Sequence, residues 1–197
     1  MTAAKDLQQK YHLGFAYLMK EGLLNSADIL QFHLRGWTDP ISIVTIFRKH
    51  FPELKKIYSF MSVESVNSTD SSYLSRLFEA GLNRILIGIE SGDEKTSRFL
   101  GKNESYADKL AALRKLKGIG FKVKPIIQVG VIGEGFYTRE KGFVSSRAGL
   151  ERTAELMKDF LSFSRPGGKQ DKILVSKYMP IDDTPLKRLH DDGKIIK

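Results

Sequence analysis

Arg84-Ile-Leu-Ile-Gly-Ile-Glu-Ser-Gly-Asp93 is the stretch that decides how the rest of the chain reads. Ile85 to Ile89 is short, apolar and rich in β-branched residues, and it closes on Glu90-Ser-Gly. A strand buried on both faces and ending at a polar rim has this pattern. Upstream, Leu74, Leu77, Phe78 and Leu82 recur at helical spacing, with Gly81 placed to stop the helix. Downstream, Leu110, Leu113 and Leu116 form a second stripe, stopped by Gly118 and Gly120. A further apolar run, Val123 to Val131, leads into Gly130-Val-Ile-Gly-Glu134. The order is helix, strand, helix, strand, with polar or Gly-rich residues at both strand C-termini. In α/β folds those ends carry the chemistry.

The same unit extends in both directions. Residues 7–24 read as a leading helix, with Leu7, Tyr11, Phe15, Leu18 and Met19 on one side. A strand is expected near 28–34, and Asp39-Pro40 is well placed to open the next helix, since proline suits a first turn. Further strands are expected near 55–62, 84–89, 122–131 and 172–178. Helices are expected over 71–80, 93–100, 105–116 and 148–163, the first of them capped from the polar stretch Asn67 to Asp70. Glu134 to Ser146 reads as a loop over the strand ends. Strands alternating with helices imply a parallel sheet, either open or part of a barrel. The chain is most simply one domain, 1–197, with the leading helix in 1–27 and a (βα)5 core in 28–197.

Composition sets bounds on chemistry. The 197 residues include no cysteine, so disulfides, thiolate nucleophiles and cysteine-ligated clusters are excluded within this chain. The four histidines, His12, His33, His50 and His190, show no metal-ligand spacing. No apolar run approaches the roughly 20 residues of a membrane span, and Met1 to Lys10 is too polar for a signal peptide, so a cytoplasmic protein is expected. The net charge is +9, and Lys109, Arg114, Lys115, Lys117, Lys122 and Lys124 crowd one segment. Without interleaved aromatics, this run reads as the solvated face of an outer helix and its following loop, not as a nucleic-acid patch.

The motifs together resemble the middle of a radical S-adenosylmethionine (SAM) domain. The resemblance rests on Arg84 to Asp93, preceded by Leu77-Phe-Glu-Ala-Gly81 and followed by Leu100-Gly-Lys102. It continues in Leu116-Lys-Gly-Ile-Gly-Phe-Lys-Val-Lys-Pro125, Val129-Gly-Val-Ile-Gly-Glu134 and Tyr178-Met-Pro-Ile-Asp-Asp-Thr-Pro-Leu186. It covers about residues 28 to 197. The resemblance implies a partial (β/α) barrel with about five parallel strands and outer helices, and SAM as cofactor. It also implies a [4Fe–4S] cluster held by a Cys-x-x-x-Cys-x-x-Cys loop after the first strand. This chain has no such cysteines and reads as beginning after that strand and loop, so it is expected to be inactive alone.

By the same resemblance, Gly36 and Asp39 stand where the family meets the SAM amino group. Glu90 and Ser91 stand where it holds the ribose or aminocarboxyl part, a role suited to a carboxylate that accepts from hydroxyls or ammonium. The alternative for Glu90 is a pair with a neighbouring Lys or Arg. Gly130, Val131, Ile132 and Gly133 match the strand end that packs on adenine, and Tyr178 and Met179 would flank it; otherwise they are turn and core residues. Two further readings stay open: a degenerate nucleotide or small-ligand module without catalysis, and an ordinary α/β enzyme using Glu90 with Asp182 or Asp183 as acid and base. A missing first strand would leave strand 28–34 with an unpaired side, to be met by helix 7–24 folding over it, by a homodimer or by a partner chain, with partial cover by the helix plus self-association expected.

Overall fold

The computed structural model describes residues 26–28, 39–52, 54, 56–131, 135–138, 142–163, 172–177 and 195–196. Five strands form the main sheet: β1 Ser26–Asp28, β2 Lys56–Ser62, β3 Arg84–Glu90, β4 Lys122–Val129 and β7 Leu174–Lys177. Their spatial order is β1-β2-β3-β4-β7 and every pairing is parallel. Sequence neighbours in the sheet are joined through helices α1 Pro40–His50, α2 Val63–Ser68, α3 Ser71–Glu79, α4 Glu94–Phe99, α5 Tyr106–Ile119 and α6 Ser146–Ser162. The α/β partial-barrel reading holds. The leading helix of 7–24 and most of strand 28–34 lie outside the described residues.

The core is built on the alternation of β3. Ile85, Ile87 and Ile89 are wholly buried, and between them Arg84, Leu86, Gly88 and Glu90 turn to the opposite, concave face. The buried three meet the helix layer, in one cluster with Leu74, Leu113 and Leu116. Each such side chain removed from water is worth about 2 kcal/mol. Asp39 caps α1 as its sequence promised: the carboxylate accepts from the backbone N–H of Ile41 at 2.9 Å and of Ser42 at 3.2 Å, with Pro40 in the first turn. Asp70 caps α3 and Ser105 opens α5 with a reciprocal capping box to Asp108.

Two features differ from expectation. Within the stretch read as a loop, two segments pair as antiparallel strands, β5 Gly135–Thr138 against β6 Gly142–Ser145. Phe136 pairs with Val144 and Tyr137 with Phe143. The other edge of β5 takes β8, Ile195–Ile196, giving a small antiparallel sheet in the order β6-β5-β8. The second difference is the fate of the basic run. Arg114 lies over the Phe163 ring at 5.4 Å, and Lys115 donates to the carbonyls of Val66 at 3.0 Å and of Thr69, closing the end of α2. Lys122 and Lys124 lie within β4. Helical and strand periods send neighbours in sequence to different faces, so the run is no single solvated surface.

Lys109 is the sharpest case, fully buried with its ammonium donating to Ser97 Oγ at 2.6 Å. Burial pushes its pKa down, against the opposing pull of Glu104, Glu94 and Asp93, with Lys102 adding to the depression. Between that lowered folded value and the ordinary lysine value of 10.5, the unfolded chain binds the proton and the folded chain sheds it. Stability then rises with pH across that window and carries the full penalty below it. Urea titrations from neutral pH to pH 10 should show this rise in the native protein and a flatter profile in Lys109→Met. Parallel profiles would show that the lysine is not desolvated.

Candidate ligand-binding rim at the strand ends

The rim is made where β3 runs out. Register between β3 and β4 shifts at Gly88 and Glu90, and Glu90 has φ +60°, the only positive value at a non-glycine among the described residues. Ser91 N–H donates back to Ile89 C=O at 2.7 Å, closing a tight three-residue turn. A bulge and a left-handed residue together re-aim the strand end, and such strain clusters at functional positions. The Glu90 side chain folds back over Gly88, where a Cβ would stand 2.7 Å from Oε1.

Lys102, from the loop between α4 and α5, holds that carboxylate. Its ammonium lies 3.1 Å from Glu90 Oε1 and donates to Gly88 C=O at 3.3 Å. The alternative of a cationic partner for Glu90 is thus realised, but by a loop lysine. The second oxygen, Oε2, is buried and has no hydrogen-bond partner. One oxygen is anchored and the other still needs a donor.

Ser91 turns away from Glu90. It is buried, its hydroxyl accepts from Asp93 N–H at 3.1 Å, and it lies 3.4 Å from Thr153 Oγ1 on α6. Thr153 Oγ1 in turn accepts from Gly92 N–H at 2.7 Å and donates to Gly149 C=O at 2.7 Å. Gly92 is needed for this approach, since a Cβ there would lie 2.5 Å from Arg152 C=O and 2.6 Å from Thr153 Cα. Ser91, Thr153, Gly149 and Gly130 line one small cavity of about 60 Å³ at the ends of β3 and β4.

Of the residues singled out in the sequence, Glu90, Ser91 and Gly130 come together at this rim. Asp39 spends both carboxylate oxygens on its own helix, with the Ser42 hydroxyl bond the first cause of its lowered pKa. Gly36, Ile132, Gly133, Tyr178 and Met179 lie outside the described residues, as do Asp182 and Asp183. Sequence reasoning missed Thr153 and Lys102 as parts of the rim. A lone threonine on a helix gives no signal, whereas the glycine of Glu90-Ser-Gly92 hints at a close helix. The cysteine-free rim offers nothing that fits an iron–sulfur cluster, whereas the buried, donor-seeking oxygen of Glu90 suits hydroxyl or ammonium groups. No described helix is long and apolar enough to cross a membrane.

The fold is shared with solved structures. Methylornithine synthase (PylB) aligns at a TM-score of 0.54 and 19% identity, over 75% of this chain and 36% of its own. The archaeal Methanocaldococcus infernus Elp3 with an N-terminal deletion aligns at 0.50 and 16%, over 71% of this chain and 28% of its own. This chain therefore spans about a third of the length of those structures. At such identities the likeness is one of fold. The pattern of the Radical SAM superfamily matches residues 39–141, just over half of the 197, and takes in α1, β2, β3 with Glu90, and β4. This chain belongs to the radical SAM superfamily.

Proposed function

We propose that this chain is the SAM-binding part of a radical SAM barrel and is inactive by itself. The observation that carries the reading is Glu90: a strained strand end, one oxygen tethered by Lys102, and one buried oxygen without a donor. SAM offers ribose hydroxyls and an ammonium, the donors such an oxygen lacks. When bound beside a reducing cluster, SAM supplies a radical. The cluster needs thiolates, and this chain has none, so residues outside this chain would have to hold it.

Calorimetry with SAM tests the reading. The native chain should bind it saturably, and Glu90→Ala should weaken binding by about tenfold or more, the loss of one hydrogen bond to a charged group. Reconstitution with iron and sulfide should leave the protein without a cluster signal in electron paramagnetic resonance. No heat with millimolar SAM, or a stoichiometric cluster, would sink the proposal.

The sheet edge adds a partner to this reading. β1 ends the described sheet, pairing only with β2. An edge of this kind is a template for another strand, and self-association through it is our expectation. Light scattering on a sizing column should give a dimer mass at high concentration; a monomer throughout would refute it.

A further inference from the structure

The opposite end of the concave face carries a different chemistry. Register sets Tyr58 beside Arg84 and Phe60 beside Leu86, with Lys124 on the other side of Leu86. Lys56 begins β2 on the same face, and Lys172 stands two positions before Leu174, which pairs with Ile126 of β4. Side chains of one face repeat every second residue, so Lys56, Arg84 and Lys124 share the floor of the concavity, and Lys172, just ahead of β7, is near enough for its charge to act on Lys124. None of Lys56, Arg84, Lys124 or Lys172 forms an ion pair with a described residue. Arg84 Nε is buried without a hydrogen-bond partner. Lys124 is depressed first by burial and then by the charges of Arg84, Lys172 and Lys56, with no carboxylate opposing them. Converging like charges repel in the compact state and attract an anion.

The neighbouring side chains narrow the ligand. A guanidinium among lysines suits the tetrahedral oxygens of phosphate, taken in pairs by the fork of the arginine. Tyr58 and Phe60 stand on the same face with ring centroids 6.0 Å apart and planes at 75°, and Phe60 is 38% exposed. These rings give an organic group somewhere to rest beside the cations. We propose that the floor of the concave face, among Lys56, Arg84, Lys124 and Lys172, binds the phosphate of a phosphorylated small molecule. This site lies at the strand N-termini, away from the Glu90 rim, and does not depend on SAM binding there.

Calorimetry and thermal unfolding of the full chain at low salt test the assignment, with inorganic pyrophosphate and ADP as probes. Pyrophosphate should bind saturably and raise the melting temperature, as a ligand of the folded state does. Lys124→Met and the more exposed Lys172→Met should each weaken it by about tenfold, the loss of one charge-assisted contact. In the absence of anion, both variants should melt no lower than the native chain, because each relieves repulsion. ADP binding more tightly than pyrophosphate, with the gain lost in Phe60→Ala, identifies a nucleotide site. Equal affinity identifies a site for the phosphate group alone. The proposal is overturned if pyrophosphate does not saturate, or if the variants bind it as the native chain does. Lower melting of both variants without anion would show the cations already compensated within the chain. Tighter binding of a single-stranded RNA oligonucleotide than of either probe would make the floor part of a nucleic-acid surface.

Discussion

Gly92→Ala is expected to destabilise the protein by about 3 kcal/mol, the upper range for forcing a group into a filled space. The cause is backbone against backbone. The added Cβ would meet Arg152 C=O at 2.5 Å and Thr153 Cα at 2.6 Å, and neither can rotate away. Relief would come only by moving α6 off the end of β3. That would break the bond from Gly92 N–H to Thr153 Oγ1 and open the core around Leu156 and Phe160, both fully buried. For a chain of this size the loss corresponds to about 6–12 °C in melting temperature. Urea unfolding of both proteins checks it. A loss under about 0.5 kcal/mol, within ordinary surface-mutation scatter, would show that α6 slides freely on the strand end.

The second large effect is expected at Lys102. Lys102→Ala would leave Glu90 with neither oxygen paired. Breaking a buried pair costs about 3–5 kcal/mol, and partial solvation lowers this to about 2 kcal/mol here. The discount reflects side chains that are 26% and 16% exposed. Removing both partners should be milder than the sum of the single losses, because no stranded carboxylate remains. Glu90→Gly should also be more stable than Glu90→Ala by about 1 kcal/mol, since glycine takes φ +60° without the Cβ penalty. A four-variant cycle in urea measures all of this. Additive losses would show that the 3.1 Å contact carries no coupling.

Much of the scaffold was legible because its signals are local. The apolar run Ile85 to Ile89 and the caps Asp39 and Asp70 each act within a few residues, and each does in the fold what its pattern implies. Helix α2 was not legible. Ser62 is both the last residue of β2 and the N-cap that accepts from Ser65 N–H, so strand passes into helix with no intervening turn. The β5–β6 pair escaped notice because its signal is a pairing of Phe136 with Val144, visible only across two segments rich in glycine. At the rim, Glu90 could be singled out, but its tether could not. Lys102 reaches Gly88 and Glu90 across an intervening helix, and no periodicity encodes that distance.

The two sheets also differ in how soon they can form. Neighbouring parallel strands β2, β3 and β4 are joined by connections that each span two helices, whereas β5 must find the more remote β8, Gly135 against Ile196. Loop closure over a longer contour costs more entropy, and contacts remote in sequence are made late. The latch itself is a two-residue strand, too little to hold against local opening. Ile195 and Ile196 are therefore expected to pair last in folding and to part first in unfolding, while β2, β3 and β4 stay closed.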